Sequence, residues 1–187
     1  MRLGDRDRPD DRDGREQRRS ARHSKREAYE CDVSHGEAAI GPPVKPGAAN
    51  AYGLVGFDNN LPAPGKRPLS SMTPTIVLKD GKPVLITGSP GGSRIISAVL
   101  QVIVNSIDFA MPIDRAVSAP RLHHQWQPDK VFVEPGIAPA VLAALAARGH
   151  VIEPTEPHTS ANSIAVTASG YIGAADTRTR GALAAGY

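Results

Sequence analysis

The dipeptide Asp80-Gly81, set between Thr75–Lys79 and Pro83–Thr87, constrains this chain more than any other feature. The first flank is rich in β-branched residues and the second is a short apolar run, both signs of a strand. Both turn residues tolerate positive φ, which a two-residue hairpin needs if its twist is to match that of its strands. After the second strand comes Gly88-Ser89-Pro90-Gly91-Gly92-Ser93-Arg94, then an apolar run at helical spacing. Ile95, Ile96, Val99, Leu100, Val102, Ile103, Val104 and Ile107 cover more than one face, so a helix over Ser93–Phe109 is expected to be largely buried.

Adjacent glycines leave backbone N–H groups uncovered by any Cβ, and at a helix start the dipole favours an anion there. In an acyl-transfer enzyme such a pair serves as an oxyanion hole, often worth about 3–4 kcal/mol of transition-state stabilisation. Gly91 and Gly92 are therefore candidate oxyanion-hole residues through their N–H groups. Ser70 and Ser71, just ahead of the first strand, offer two hydroxyls to a substrate carboxylate. Each pattern also has a plainer use: a turn before a helix for the glycines, a solvated loop or strand cap for the serines. A phosphate loop does not fit, because no Gly-Lys-Ser/Thr closes the run, and a dinucleotide fingerprint would need a third glycine.

Elsewhere the chain reads as short elements between turns. Residues 44–65 are punctuated by Pro46-Gly47, Gly53, Gly56, Asn59-Asn60, Pro62 and Pro64. So long a loop in a compact domain suits a lid or binding loop, with Tyr52 as its buried anchor or a pocket wall. Arg94 opposes the dipole at its helix start and is expected to pair with a carboxylate or reach the glycine loop. Pro112–Ser118 suits a short helix with proline near its start, and Asp108 and Asp114 suit a surface position and a cap. His123 and His124, adjacent on a strand, point to opposite faces and do not share a metal, while Trp126 is expected to pack. Lys130–Glu134 reads as a strand and Ala138–Arg148 as a helix stopped by Gly149. Glu153 to His158 reads as an exposed, proline-bounded loop rather than a metal cluster. Asn162–Thr167 and Tyr171–Ala174 form a last hairpin, and Asp176 is expected to pair with Arg178 and Arg180.

Charge separates the start of the chain from the rest. Met1–Glu30 holds ten basic and eight acidic residues with almost no apolar ones, so it is expected to be disordered. The net charge of +3 therefore says nothing of a basic face on the folded part. An arginine arm for nucleic acid is disfavoured by the interleaved aspartates and by the lack of stacking aromatics. Aromatic residues are only 4% of the chain, so Ala, Val, Leu and Ile must fill the core. The single Cys31 excludes an internal disulfide. No run approaches the ~18 apolar residues of a membrane span, and the N-terminus has no apolar core of a secretion signal.

Several stretches together resemble the small-subunit motifs of the gamma-glutamyltranspeptidases. They are Lys66-Arg67-Pro68-Leu69-Ser70-Ser71-Met72-Thr73-Pro74-Thr75 and Thr87-Gly88-Ser89-Pro90-Gly91-Gly92-Ser93-Arg94-Ile95-Ile96, followed by Val104-Asn105-Ser106-Ile107-Asp108. Ala119-Pro120-Arg121, His123-His124-Gln125-Trp126 and the closing Ala184-Ala185-Gly186-Tyr187 follow in order. The resemblance covers residues 44–187 and leaves 1–43 as an unrelated segment, disordered or read from a wrong start or shifted frame.

The resemblance implies an α+β fold: part of the αββα sandwich of an N-terminal-nucleophile hydrolase, mainly antiparallel strands with packed helices. In that family one precursor cuts itself into a large and a small subunit. The threonine that heads the small subunit attacks the gamma-glutamyl amide of glutathione or a related donor, and water or an amine takes the acyl group. By that pattern Ser70 and Ser71 bind the glutamyl α-carboxylate, and the Gly91 and Gly92 N–H groups form the oxyanion hole. Neither cofactor nor metal is implied, and members are usually periplasmic or extracellular.

The sequence also departs from the pattern. The Thr-Thr-His-x-Ser type motif that carries the nucleophile does not occur in it. Where the family has an acidic Asn-x-x-Met-Asp-Asp-Phe type segment stands His35-Gly36-Glu37-Ala38-Ala39-Ile40-Gly41-Pro42, and Glu37 is not assigned the role. The expectation is a fragment, inactive alone, that keeps the glutamyl-recognition elements and would act on glutathione only if completed by a large subunit. Alternatively it is a non-catalytic partner docking on a separately encoded large subunit. Unpaired sheet edges and an apolar face would then favour oligomers.

Overall fold

In a computed structural model of the chain, the described residues are 47–50, 52–55, 61, 63–67 and 70–186. The chain divides into one unit over Met1–Val33 and another over Ser34–Tyr187. The first unit lies outside the described residues, as do Cys31, Glu37 and the remainder of the Arg/Asp-rich segment.

Among the described residues, seven strands and three helices follow the glycine and proline punctuation closely. Strand β1 (Thr75–Lys79) turns at Asp80 and Gly81, both at positive φ (52° and 73°), into β2 (Lys82–Gly88). A 3-10 turn over Gly92–Arg94 then opens helix α1 (Ile95–Ile107). Helix α2 (Ile113–Ser118) uses Pro112 as its N-cap rather than inside the helix. Strands β3 (Leu122–His123) and β4 (Val131–Val133), helix α3 (Pro139–Ala147) and strand β5 (Ile152–Pro154) come next. The last hairpin joins β6 (Asn162–Thr167) to β7 (Gly170–Ala175).

The strands form two sheets. One is four-stranded and antiparallel in the order β1-β2-β6-β7; the other is three-stranded in the order β3-β4-β5. In the smaller sheet β4 and β5 run parallel, an arrangement that needs a crossover, and α3 supplies it.

Helices α1 and α2 cover one face of the larger sheet. Val102, Ile113 and Val117 meet Leu85, Ala161 and Ala174 there. Each fully buried side chain of the size of Leu85 or Val102 contributes roughly 1.5–3 kcal/mol relative to exposure. The same face carries a buried hydroxyl pair, Thr87 and Ser163, hydrogen-bonded at 2.8 Å across β2 and β6.

The opposite face is apolar and open. Ile76, Ile86, Ile164 and Gly173 form one cross-strand row, and Ile76 and Ile164 are 42% and 40% exposed. Residues 183–186 run along this face beside Gly173 and share with it a groove of about 640 Å³. Among the described residues β1 and β7 are the sheet's edges.

Two expectations need correction, the all-round burial of α1 and the packing of Trp126. Helix α1 is buried along one stripe, Ile95, Ala98, Val99 and Val102, and not all round: Ile96, Leu100 and Ile107 face outward. A single sheet covers a single face, whatever the composition of the other. Helix α3 has no buried residue despite its alanines and leucines. Trp126 does not pack; it is 71% exposed, at a φ of +72°, on the bend that follows β3.

Candidate active site

Hairpin register brings the serines and the glycines to one end of the larger sheet. Thr75 pairs with Thr87, so the segment entering β1 and the segment leaving β2 lie at the same end. Asn162, paired with Gly88, brings the start of β6 there as well.

Glycine is required at both positions of the step. Gly91 sits at φ +134° and Gly92 at +60°, backbone states that L side chains rarely adopt. A Cβ on Gly91 would meet the Thr159 methyl at 2.7 Å, and one on Gly92 would run into the Tyr52 ring. Among the described residues no hydrogen bond uses the Gly91 or Gly92 N–H. A donor left without a partner near the interior wants an acceptor. The Gly91 carbonyl is spent on the turn, accepting from the Arg94 N–H at 3.1 Å.

Ser70 is exposed, and its hydroxyl accepts the Met72 N–H at 3.2 Å, a local turn that leaves its own proton free to donate. Ser71 is half-buried. A cleft of about 520 Å³ opens beside the glycine step, lined by Tyr52, Pro90, Gly91, Ser93, Arg94, Gln125, Pro128, Phe132 and His158. Ser70, Ser71 and Gly92 are not among its walls.

Behind the cleft runs a chain of side-chain hydrogen bonds centred on Gln125. Its amide nitrogen donates to the carbonyls of Tyr52 (2.9 Å) and Gln127 (3.0 Å), which fixes the orientation of the amide. Its oxygen therefore accepts, from the Ser93 hydroxyl at 2.8 Å and from His123 Nε2 at 2.9 Å. His123 Nδ1 then accepts from the Ser97 hydroxyl at 2.8 Å. Burial, the largest influence, pushes the His123 pKa below its usual value; the bond to Gln125 opposes this, and the charges of Arg94 and His124 add to it. The fold therefore favours the neutral ring, whose proton the bonds to Gln125 and Ser97 place on Nε2.

His124 points the other way, exposed, and meets Asp129 at 3.0 Å. Among the described residues Arg94 forms no ion pair with a carboxylate; its guanidinium lies 4.9 Å from the centre of the Phe132 ring, with Nη1 3.5 Å from the Thr155 hydroxyl. Glu153 and Pro154 belong to β5 rather than to an exposed loop, and Glu153 pairs with Lys130.

Thr159, the residue that walls Gly91, is itself held by a buried ion network. Arg121 donates from Nη1 to Thr159 Oγ1 at 3.0 Å and from Nη2 to Asp176 Oδ2 at 2.8 Å. Arg178 donates to Asp176 Oδ1 at 2.9 Å and also to Glu134, whose Oε2 accepts the Arg121 N–H at 2.9 Å. Burial alone would raise the Asp176 pKa, but hydrogen bonds from Arg178, Arg121 and the Ala161 N–H outweigh it and hold the carboxyl below its usual range. Arg178 is likewise disfavoured by burial, and Glu134 and Asp176 more than restore its charge. The partner of Asp176 beyond Arg178 is thus Arg121, not Arg180.

The sequence reading missed Arg121, Glu134 and Gln125 as site-supporting residues. Only their places just outside the short strands β3 and β4 marked them, and that signal names no partner.

An antiparallel sheet packed on helices, with a glycine step and a serine pair at one sheet end, is the α+β fold of an N-terminal-nucleophile hydrolase, here in part. The sequence profile described as gamma-glutamyltranspeptidase matches residues 39–186, and the chain belongs to that family. It is 54% identical over 145 residues to the glutathione hydrolase proenzyme of Escherichia coli K12, covering 77% of this chain and 25% of that protein. It is 41% identical over 154 residues to the one from Pseudomonas sp. A14, covering 76% and 27%. The chain thus spans about a quarter of the length of these relatives. The crystal structure of the Helicobacter pylori gamma-glutamyltranspeptidase T380A mutant superposes with a TM-score of 0.72 at 43% identity, covering 82% of this chain and 87% of that one. The Bacillus anthracis transpeptidase CapD, at 21% identity and a TM-score of 0.56, shares the fold.

Proposed function

We propose that this chain is the glutamate-recognition and oxyanion-stabilising part of a gamma-glutamyl transferase and glutathione hydrolase, with the attacking hydroxyl supplied by a segment outside it. The observation that supports the reading is the hairpin register, which brings the segment entering β1, just after Ser70-Ser71, and the segment leaving β2, just before Gly91-Gly92, to one sheet end, with both glycine N–H groups unspent among the described residues.

In this reading the Ser70 and Ser71 hydroxyls donate to the α-carboxylate and fix the glutamyl group. The nucleophile's oxygen then forms a bond to the γ-carbonyl carbon, and the carbonyl oxygen takes the electron pair. Two preorganised N–H donors at Gly91 and Gly92 would stabilise that oxyanion where no water competes. Collapse expels the amine, which takes up a proton, and leaves an acyl-enzyme; water or a second amine then attacks it. Each oxyanion donor is worth roughly 10²–10³ in rate, whereas loss of the nucleophile removes the covalent path altogether.

A chromogenic gamma-glutamyl anilide tests this. The purified chain alone should give no turnover. Co-expressed with a family large subunit and with the small-subunit N-terminal segment that carries the Thr-Thr-His-x-Ser motif, it should associate and release the anilide. Ser70→Ala with Ser71→Ala should then raise KM with a smaller effect on kcat. Turnover by the lone chain would remove the need for an outside nucleophile, and failure to associate at micromolar concentration would sink the reading.

A further inference from the structure

We propose that Gln125 is the positioning residue of the glycine step, a latch that holds the Tyr52 segment onto Gly92. Residues 47–50 and 52–55 are joined by their own bonds: the Asn50 side chain accepts the N–H groups of Tyr52 (2.9 Å) and Leu54 (3.0 Å), and Ala49 bridges to Val55. These bonds shape the loop without tying it to anything else. Among the described residues, its one hydrogen bond to the body of the domain runs from the Gln125 amide to the Tyr52 carbonyl, across seventy-three positions. Tyr52 and Leu54 add apolar contact with Ile95 and Val99.

Three of the four side-chain hydrogen bonds of Gln125 serve this junction, and the fourth, donated to the Gln127 carbonyl, holds the amide in place. Its oxygen is anchored by Ser93, inside the turn that follows the glycines, and by the buried His123. Its nitrogen reaches the loop beside Gly53, whose φ of +75° gives the loop a turn that L side chains rarely adopt. The Tyr52 ring, so held, occupies the space over Gly92 that any other residue's Cβ would fill. Ser93 and Tyr52 flank the glycines, and a single amide joins them. The orientation of the Gly91 and Gly92 N–H groups therefore depends on Gln125. What this means for catalysis rests on the acyl-transfer reading above; the latch itself does not.

Gln125→Glu separates the latch from packing, because it keeps the volume and the acceptor while removing both donors. Hydrogen–deuterium exchange on the full chain should show residues 47–55 exchanging at least ten-fold faster in Q125E, with α1, β2 and β6 unchanged. In ¹H–¹⁵N spectra the Gly91 and Gly92 amides should shift, while the β6–β7 hairpin should not. Exchange in 47–55 within two-fold of the parent would overturn the latch. Uniform acceleration everywhere would mark Gln125 as a general stabiliser and also overturn it. A loosened loop with unmoved glycine amides would show that the latch does not reach the step. None of these readouts uses turnover, so they stand or fall apart from the gamma-glutamyl assignment.

Discussion

Arg121 donates from Nη2 to Oδ2 of Asp176 over 2.8 Å, across fifty-five positions of chain, and both side chains are buried. The carboxylate is fully inaccessible and has Arg178 on its other oxygen. Two cations and two anions are thus brought together where water is excluded. Charges in such a place are tolerable only because each is hydrogen-bonded and paired. Through Thr159 the cluster also braces the wall against which Gly91 rests.

Removing the central carboxylate should be costly. Asp176→Asn keeps the shape and leaves Arg121 and Arg178 competing for Glu134, so a loss of about 3–5 kcal/mol is expected in urea denaturation. A loss under about 1 kcal/mol would mean that the arginines find water or other acceptors.

The pH dependence of stability should show two separate windows. The carboxyl of Asp176 is held below its usual value in the fold, so its contribution is full above about pH 4 and is lost as pH falls through the lower folded value. His123 is also held below its usual value, so the fold favours its neutral form. Its contribution is full above about pH 6.5 and erodes below, where the unfolded chain takes up the proton first. The slope from one such proton is at most about 1.4 kcal/mol per pH unit. Melting curves of His123→Gln should lose the slope just below pH 6.5 and keep the steeper acid limb; an unchanged slope would assign it to another histidine.

Gly92→Ala should conflict with the Tyr52 ring as well as with its own backbone angle. A cost of about 1–3 kcal/mol is expected. Tyr52→Ala should relieve only the collision, so the double mutant G92A/Y52A should lose less than the two single costs added. Strict additivity by denaturation would place the whole penalty in φ.

Exposure should divide two leucines of similar chemistry. Leu85, 1% exposed between β2 and the helices, should cost about 2–5 kcal/mol as L85A. Leu100, 57% exposed on the outer face of α1, should stay within roughly 0.5 kcal/mol as L100A. A large loss for Leu100 in the isolated chain would mean that another surface covers this stripe.

The hairpin that carries the candidate site was legible in the sequence because it is governed by local backbone preference. Asp80-Gly81 could only close a tight hairpin, and that turn alone brings the residues before Thr75 and after Thr87 to one end. Gly149 ended its helix for the same reason, having a φ of +93° that other residues avoid. His123 inward and His124 outward followed from strand alternation. What the chain's order does not state is which distant groups meet once it closes. Nothing near Gln125 names Tyr52, nothing near Asp176 favours Arg121 over Arg180, and nothing in α1 tells Ile95, buried, from Ile96, exposed. Local φ and ψ act within a few residues and are written in residue type. Burial and long-range pairing depend on how many surfaces are present to pack together, and only the assembled sheet and helices decide that.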